Sequence, residues 1–279
     1  MAKWAAFFQV SRSGYHAYIK QRECREQEEK ELKAKIKKIF DDSDGTYGPD
    51  RVCGVLRRDG QKASYKKISR LMSEMKLKSV HRRHRTRSLT DSRKSRGDGY
   101  PNLVKGQIFH KPYQAVCSDI TYLKSGEGWL YLCKIKDIAT GEILGEATSD
   151  RMRKQLVIQA FLNAQARHRL PKGCIFHSDR GSQYTSKTFT KMLQQFGLKQ
   201  SFSRVGKPGD NAWAESFFAT LKKECIHFRQ FSTREELKQA VFAWIEGFYN
   251  TRRVQKRLGY LSPREYAARL MGNSGKLAA

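Results

Sequence analysis

Between residues 114 and 148 the chain holds three runs rich in Val, Ile, Tyr, Leu and Trp, at 114–124, 128–137 and 141–148, separated by Gly-containing turns. Connections this short cannot make the crossover that parallel neighbours require, so the three runs must pair as an antiparallel meander. After them the texture changes. Residues 153–168 read as a helix, 174–176 as a short buried strand, 186–196 as a helix ended by Gly197, and 199–203 as a fifth strand. Helices are expected at 212–226 and 233–251, beyond a Gly/Pro loop at 206–209. Strand-strand-strand-helix-strand-helix-strand-helix is an α/β order with a mixed sheet.

The first third reads differently. A helix is expected over roughly residues 15–40, where Leu32, Ile36, Ile39 and Phe40 recur at helical spacing before Asp44-Gly45 breaks the pattern. A second follows Pro49 to about Asp59, and a third starts at Ser64 as N-cap and carries Ile68, Leu71, Met72 and Met75. Lys66, Lys67 and Arg70 stud that third helix. Three short helices with tight turns and a basic last member suggest a helix-turn-helix reader of DNA. Next comes a segment almost without apolar residues, with Arg82, Arg83, Arg85 and Arg87, which cannot bury a core and suits a basic arm lying along phosphates. The expected organisation is an N-terminal helical segment (1–30), a helix-turn-helix-like domain (31–80), a basic linker (81–110), a catalytic core (111–228) and a basic helical tail (229–279) containing Arg252, Arg253, Lys256 and Arg257.

Charge narrows the partner. Lys plus Arg number 55 against 27 Asp plus Glu, a formal net of +28, and the excess is spread over both halves of the chain. Each phosphate neutralised by such a surface releases a counterion, so a nucleic acid is the partner this composition fits. The six Cys include no Cys-x-x-Cys pair, which argues against a zinc site and for small buried hydrophobes in a reducing compartment. No apolar run is long enough to span a membrane and no secretory signal is visible, so a cytoplasmic protein is expected.

Three acids sit where a core should form. Asp119 lies within the first strand, Asp179 directly follows the fourth, and Glu215 lies near the start of a helix among Trp and Phe. A carboxylate in apolar surroundings is costly unless it is paired or binds a cation, and a divalent metal would use all three as hard oxygen ligands. Two metals roughly 4 Å apart can activate an attacking oxygen and stabilise a leaving one, which is the chemistry of phosphoryl transfer. Lys222, seven residues after Glu215, is about two helical turns on and shares its face.

At this point the residues resemble a known family. Ser118-Asp-Ile-Thr-Tyr122, His177-Ser-Asp-Arg-Gly-Ser-Gln-Tyr184, Asp210-Asn-Ala, Glu215-Ser-Phe-Phe and Lys222 are similar to the core shared by bacterial insertion-sequence transposases and retroviral integrases, the DDE group. The 35 residues between Asp179 and Glu215 match that family's gap. The tail Leu258-Gly-Tyr-Leu-Ser-Pro-Arg-Glu-Tyr266 and the upstream Val10-Ser-Arg-Ser-Gly-Tyr15 and Thr46-Tyr-Gly48 extend the likeness over nearly the whole chain. Departures are Lys256-Arg257 where a His often precedes Leu-Gly, and Pro49-Asp50 in place of an aromatic-basic pair. The resemblance implies a ribonuclease-H-like mixed five-stranded sheet with flanking helices, preceded by a small all-α domain. It implies a DNA transposase with catalytic and metal-ligating Asp119, Asp179 and Glu215, two Mg²⁺ ions with Mn²⁺ as a substitute, and Lys222 on DNA. Its partners would be the terminal inverted repeats and target DNA, further copies of the chain, and in many relatives an upstream reading-frame product. Of the neighbouring residues, Asp210 reads as a helix cap, His177 as structural or touching the site, Gln183 and Tyr184 as possible DNA contacts, and Trp213 as core.

Overall fold

The computed structural model describes residues 11–80, 101–203 and 212–274. They fall in two compact units divided after Arg82.

The first unit is helical. Helix α1 (Arg12–Asp42) is capped by Ser11, whose hydroxyl accepts from Gly14 N, and it stops where Asp44 and Gly45 take left-handed φ of 50° and 69°. Helix α2 (Pro49–Arg58) starts with Pro at its first position, where no N–H is missed. Helix α3 (Tyr65–Glu74) starts at Ser64, which accepts from Lys67 N. Ile36, Val52, Leu56, Ile68, Leu71 and Met72 form the core between them. The helix expected over 15–40 is thus one continuous element that crosses the division expected at 30/31. From Ser13 to Lys30 α1 is almost entirely exposed.

The second unit is built on one mixed sheet. Its strands are β1 (Ala115–Ser125), β2 (Gly128–Asp137), β3 (Ile143–Ser149), β4 (Ile175–Ser178) and β5 (Lys199–Phe202), in spatial order β3-β2-β1-β4-β5. The meander β1–β2–β3 is antiparallel, while β4 joins β1, and β5 joins β4, in parallel. Helices α4 (Lys154–His168) and α5 (Lys187–Gln195) supply the two crossovers. One sheet face meets them through Val116, Ile135, Leu144, Val157, Phe161, Phe176, Phe189 and Tyr184, with Phe161, Phe176 and Phe189 in edge-to-face contact. Here Gly145 is required, because a Cβ at that position would stand 2.7 Å from the Ala160 carbonyl oxygen of α4.

The other face carries helices α6 (Ala212–Leu221) and α7 (Arg234–Trp244), each ending in a π-helical turn, at Lys222–Ile226 and Ile245–Tyr249. A last helix, α8 (Pro263–Ser274), follows. The division expected after 228 has no counterpart in the packing. Helix α7 lies on β2, and Asn250 hydrogen-bonds both backbone groups of Ile143 at 2.9 Å. Of the six cysteines only Cys24 is exposed. No helix among the described residues is long and apolar enough to cross a membrane.

Candidate active site

The sheet brings the two aspartates to one level. The parallel ladder between β1 and β4 pairs Cys117 with His177, and two further residues along each strand lie Asp119 and Asp179. Strand alternation puts Asp119 on the face that carries α6, and Asp179 leaves the end of β4 at the same level, from a ladder whose strands are about 5 Å apart. Asp119 is half-buried and its Oδ1 accepts from Ile120 N at 2.8 Å. Asp179 stands just past the end of β4, with Oδ1 accepting from Gly181 N at 3.0 Å. Its residue surface is open, yet enough protein surrounds the carboxyl that burial pushes its pKa up, against the stabilising Gly181 N–H.

Helix α6 packs against β1 and carries Glu215 in its first turns, although the side chain of Glu215 lies outside the described residues. Phe217, Phe218 and Leu221 of the same helix are buried and fix it to the sheet. Lys222 opens the π-helical turn, and its Nζ lies 5.2 Å from the centre of the Tyr122 ring. Burial lowers the Lys222 pKa while the charge of Asp119 raises it, so this lysine stands within electrostatic reach of the first aspartate. Asp119 and Asp179 leave neighbouring strands at one level, with an acid-bearing helix across β1 and a cation at the rim; among the described residues, which leave out the Glu215 side chain, no three potential metal ligands come together.

The surroundings hold residues that sequence reasoning passed over. Lys134 is the cross-strand partner of Asp119 and is completely buried. Its Nζ has no hydrogen-bond acceptor among the described residues and rests 5.3 Å and 5.8 Å from the ring centres of Phe218 and Phe217. Burial lowers its pKa, with Cys117 and Asp119 among the groups opposing. Two residues on, Lys136 is also buried, and desolvation brings its pKa down to about 8. A signal was available: both lysines fall on the apolar phase of a strand that reads Leu130, Leu132, Lys134, Lys136. Tyr184 is buried, so it supports the site rather than touching DNA. Its hydroxyl shares a 2.9 Å hydrogen bond with Ser118, next to Asp119. His177 is fully buried as well, bonded to Ser201 at 2.9 Å, and is structural.

The expected DNA contacts divide. Lys66, Lys67, Arg252, Lys256 and Arg257 are exposed. Arg70 is exposed but paired with Glu29 and Glu74 at 2.8 and 2.6 Å. Arg253 departs from the set: it is buried and grips Glu224 through two hydrogen bonds of 2.6 and 2.7 Å, so a phosphate could reach it only by breaking that pair. Arg82, Arg83, Arg85 and Arg87, and Asp210, lie outside the described residues, as does the side chain of Trp213.

A meander of three strands extended by two parallel ones, with aspartates on the first and fourth and an acidic helix across them, defines an integrase-type catalytic core. Residues 110–208 match the family "Integrase core domain", residues 215–270 a second family of the same description, and residues 26–85 the family "HTH-like domain". The chain is 38% identical over 248 residues to the transposase for insertion sequence element IS904 of Lactococcus lactis subsp. lactis (strain IL1403), covering 88% of this chain and 97% of that one. It is 39% identical over 259 residues to the insertion element IS600 uncharacterized 31 kDa protein of Shigella sonnei, covering 92% and 94%. Among solved structures, the simian T-cell lymphotropic virus intasome in complex with PP2A regulatory subunit B56 gamma superposes with a TM-score of 0.50 at 16% identity, over 74% of this chain and 67% of that one, a likeness of fold. The chain belongs to the insertion-sequence transposases. It is a DDE-type polynucleotidyl transferase with a ribonuclease-H-like core and acts in DNA transposition.

Proposed function

We propose that this transposase cleaves a DNA strand at each transposon end and then joins the freed 3′-hydroxyl to target DNA, with Asp119, Asp179 and Glu215 as the metal-ligating carboxylates. The observation that supports this reading is that Asp119 on β1 and Asp179 just past the end of the parallel neighbour β4 lie at one level, with α6 packed on β1. In the first step water attacks the phosphorus, a new P–O bond forms and the bond to the 3′-oxygen breaks, leaving a 3′-hydroxyl and a 5′-phosphate. In the second step that 3′-hydroxyl loses its proton and attacks a target phosphodiester, and the displaced target 3′-oxygen takes a proton. Bond number is conserved, so no nucleoside triphosphate is needed. Bound Mg²⁺, two ions with Mn²⁺ as substitute, would supply charge neutralisation and a lowered pKa for the attacking oxygen. The chain's own residues orient the DNA: Lys222 holds a phosphate at the rim, and the Ser118–Tyr184 bond keeps β1 in place behind Asp119.

The remaining assignments follow from the same reading. Lys66, Lys67, Arg70 and the Arg82–Arg87 cations engage the terminal inverted repeats, and Arg252, Lys256 and Arg257 engage end or target DNA. More than one copy gathers on the DNA because two ends must be joined, an upstream reading-frame product is a possible further partner, and the protein works on the nucleoid in the cytoplasm. The test is incubation of the protein with Mg²⁺ and a duplex bearing the element's end. Joined products are expected; nicks without joining would reduce the activity to a nuclease. Asp119→Asn and Glu215→Gln should each abolish cleavage while leaving DNA binding intact, and normal cutting by either would remove that residue from the site.

A further inference from the structure

Along β1 and β2 one sheet face runs from core to open surface. Near Val116, Cys133 and Ile135 it is covered by the helical layer, but at the hairpin end it presents Tyr122 and Trp129, 57% and 48% exposed. Their rings meet edge-to-face, 5.1 Å between centres and 85° between planes. The pair is held rigidly. Arg234 Nε donates to the Trp129 carbonyl at 3.1 Å, Arg234 N donates to Glu127 at 2.8 Å, and Lys222 Nζ braces the Tyr122 ring. Lys124 stands exposed on the same face, as the cross-strand partner of Trp129.

We propose that Tyr122 and Trp129 form a stacking platform for an unpaired nucleobase of the DNA strand passing the active site. The open area favours a base over a protein. Two aromatic side chains, each burying about 150–250 Å² when covered and here about half open, offer roughly 200 Å², against about 800 Å² per partner in a stable protein interface. Position points the same way. Tyr122 is three residues from Asp119 on one strand, about 10 Å at 3.3–3.4 Å per residue, so its ring stands on the opposite sheet face. The two faces meet where β1 runs on past its ladder with β4, and there Lys222 touches the Tyr122 ring and also feels the charge of Asp119. A nucleotide that rounds this open edge of β1 beside Lys222 meets the rings, and Lys124 and Lys222 flank them with the charge a DNA backbone requires. Stacking on a ring face tolerates any base, which suits a strand whose sequence varies from target to target.

The proposal rests on the reading that DNA is the substrate, but not on the chemistry, so its test omits metal. The full chain, in EDTA, is titrated with an end duplex carrying a short unpaired overhang labelled with 2-aminopurine, and with the blunt form of the same duplex. Binding should quench the overhang label. Tyr122→Ala and Trp129→Ala should each weaken binding of the overhang duplex by roughly 5- to 150-fold and leave the blunt duplex unchanged. Tyr122→Phe and Trp129→Phe keep a ring and should stay near wild type, which separates stacking from loss of fold. Equal losses on both duplexes, or no quenching, would overturn the platform. So would a changed sedimentation mass of the DNA-free chain in either alanine variant with quenching intact, which would make the face a contact between proteins. Quenching without strand cleavage in Mg²⁺ would instead count against the catalytic reading alone.

Discussion

Arg253 and Glu224 allow a quantitative test of how the active-site rim is anchored. Their side chains are 6% and 0% exposed and meet in two short hydrogen bonds. Glu224 lies in the π-helical turn that Lys222 opens, while Arg253 follows the second π-helical turn, so the pair ties the cation within electrostatic reach of Asp119 to the far end of α7. Removing one partner of a buried pair leaves an uncompensated charge, which costs about 3–5 kcal/mol. For a unit of this size each kcal/mol moves Tm by about 2–4 °C, so Arg253→Met should lower Tm by roughly 6–20 °C. Pairing Arg253→Met with Glu224→Leu removes both charges and should restore most of the loss. Thermal unfolding followed by circular dichroism reads both. A single variant that loses under about 1 kcal/mol, or a double variant no better than the single, would refute the reasoning and return Arg253 to the cations expected on DNA.

The neighbouring residue should behave in the opposite way: Arg252→Ala is expected to leave Tm unchanged and to reduce the salt dependence of DNA binding by about one phosphate contact. An unaltered slope would place Arg252 off the DNA. Lys136, brought down to about 8 by burial, binds fewer protons in the folded than in the unfolded chain above that pH. Stability should therefore rise from about pH 8 until the buried thiols Cys133, Cys174 and Cys225, shifted up from 9.0, begin to oppose it above pH 9. Denaturant titration of Lys136→Met should show a shallower rise, since buried Lys134 contributes in the same direction, and a slope equal to wild type would acquit Lys136. Lys134→Met removes a buried amine that has no acceptor among the described residues and should stabilise by about 1–3 kcal/mol, seen as a Tm gain of roughly 2–10 °C; a comparable fall would mean that the amine is held by a partner.

Much of the fold was legible because its signals are local. Short turns forced the β1–β2–β3 meander, Pro49 and Ser64 marked helix starts, and Gly197 marked a stop. The two aspartates were legible as charges in apolar strands, but their level placement depends on which strands pair, and only the β1–β4 ladder supplies that. Helix α8 was expected only as part of a helical tail, without its start, although the signal was present: Ser262 N donates to Glu265 at 2.7 Å and Glu265 N to the Ser262 hydroxyl at 3.3 Å, a capping box written as Ser-Pro-Arg-Glu. The π-helical turns had no local signature, because each is set by what its helix packs against. Arg253 looked like its exposed neighbours because burial of a single arginine depends on a carboxylate 29 residues away.

Asn250 gives the C-terminal region a part that a basic tail would not have. Its side-chain amide takes the N–H and C=O of Ile143 on the outer strand of the sheet, as a further strand would. A sheet edge left bare is a template for pairing with another chain. The segment after α7 thus covers part of the outer edge of the β1–β2–β3 meander, and loss of Asn250 would leave the pair of aspartates on a sheet whose edge strand can recruit its own kind.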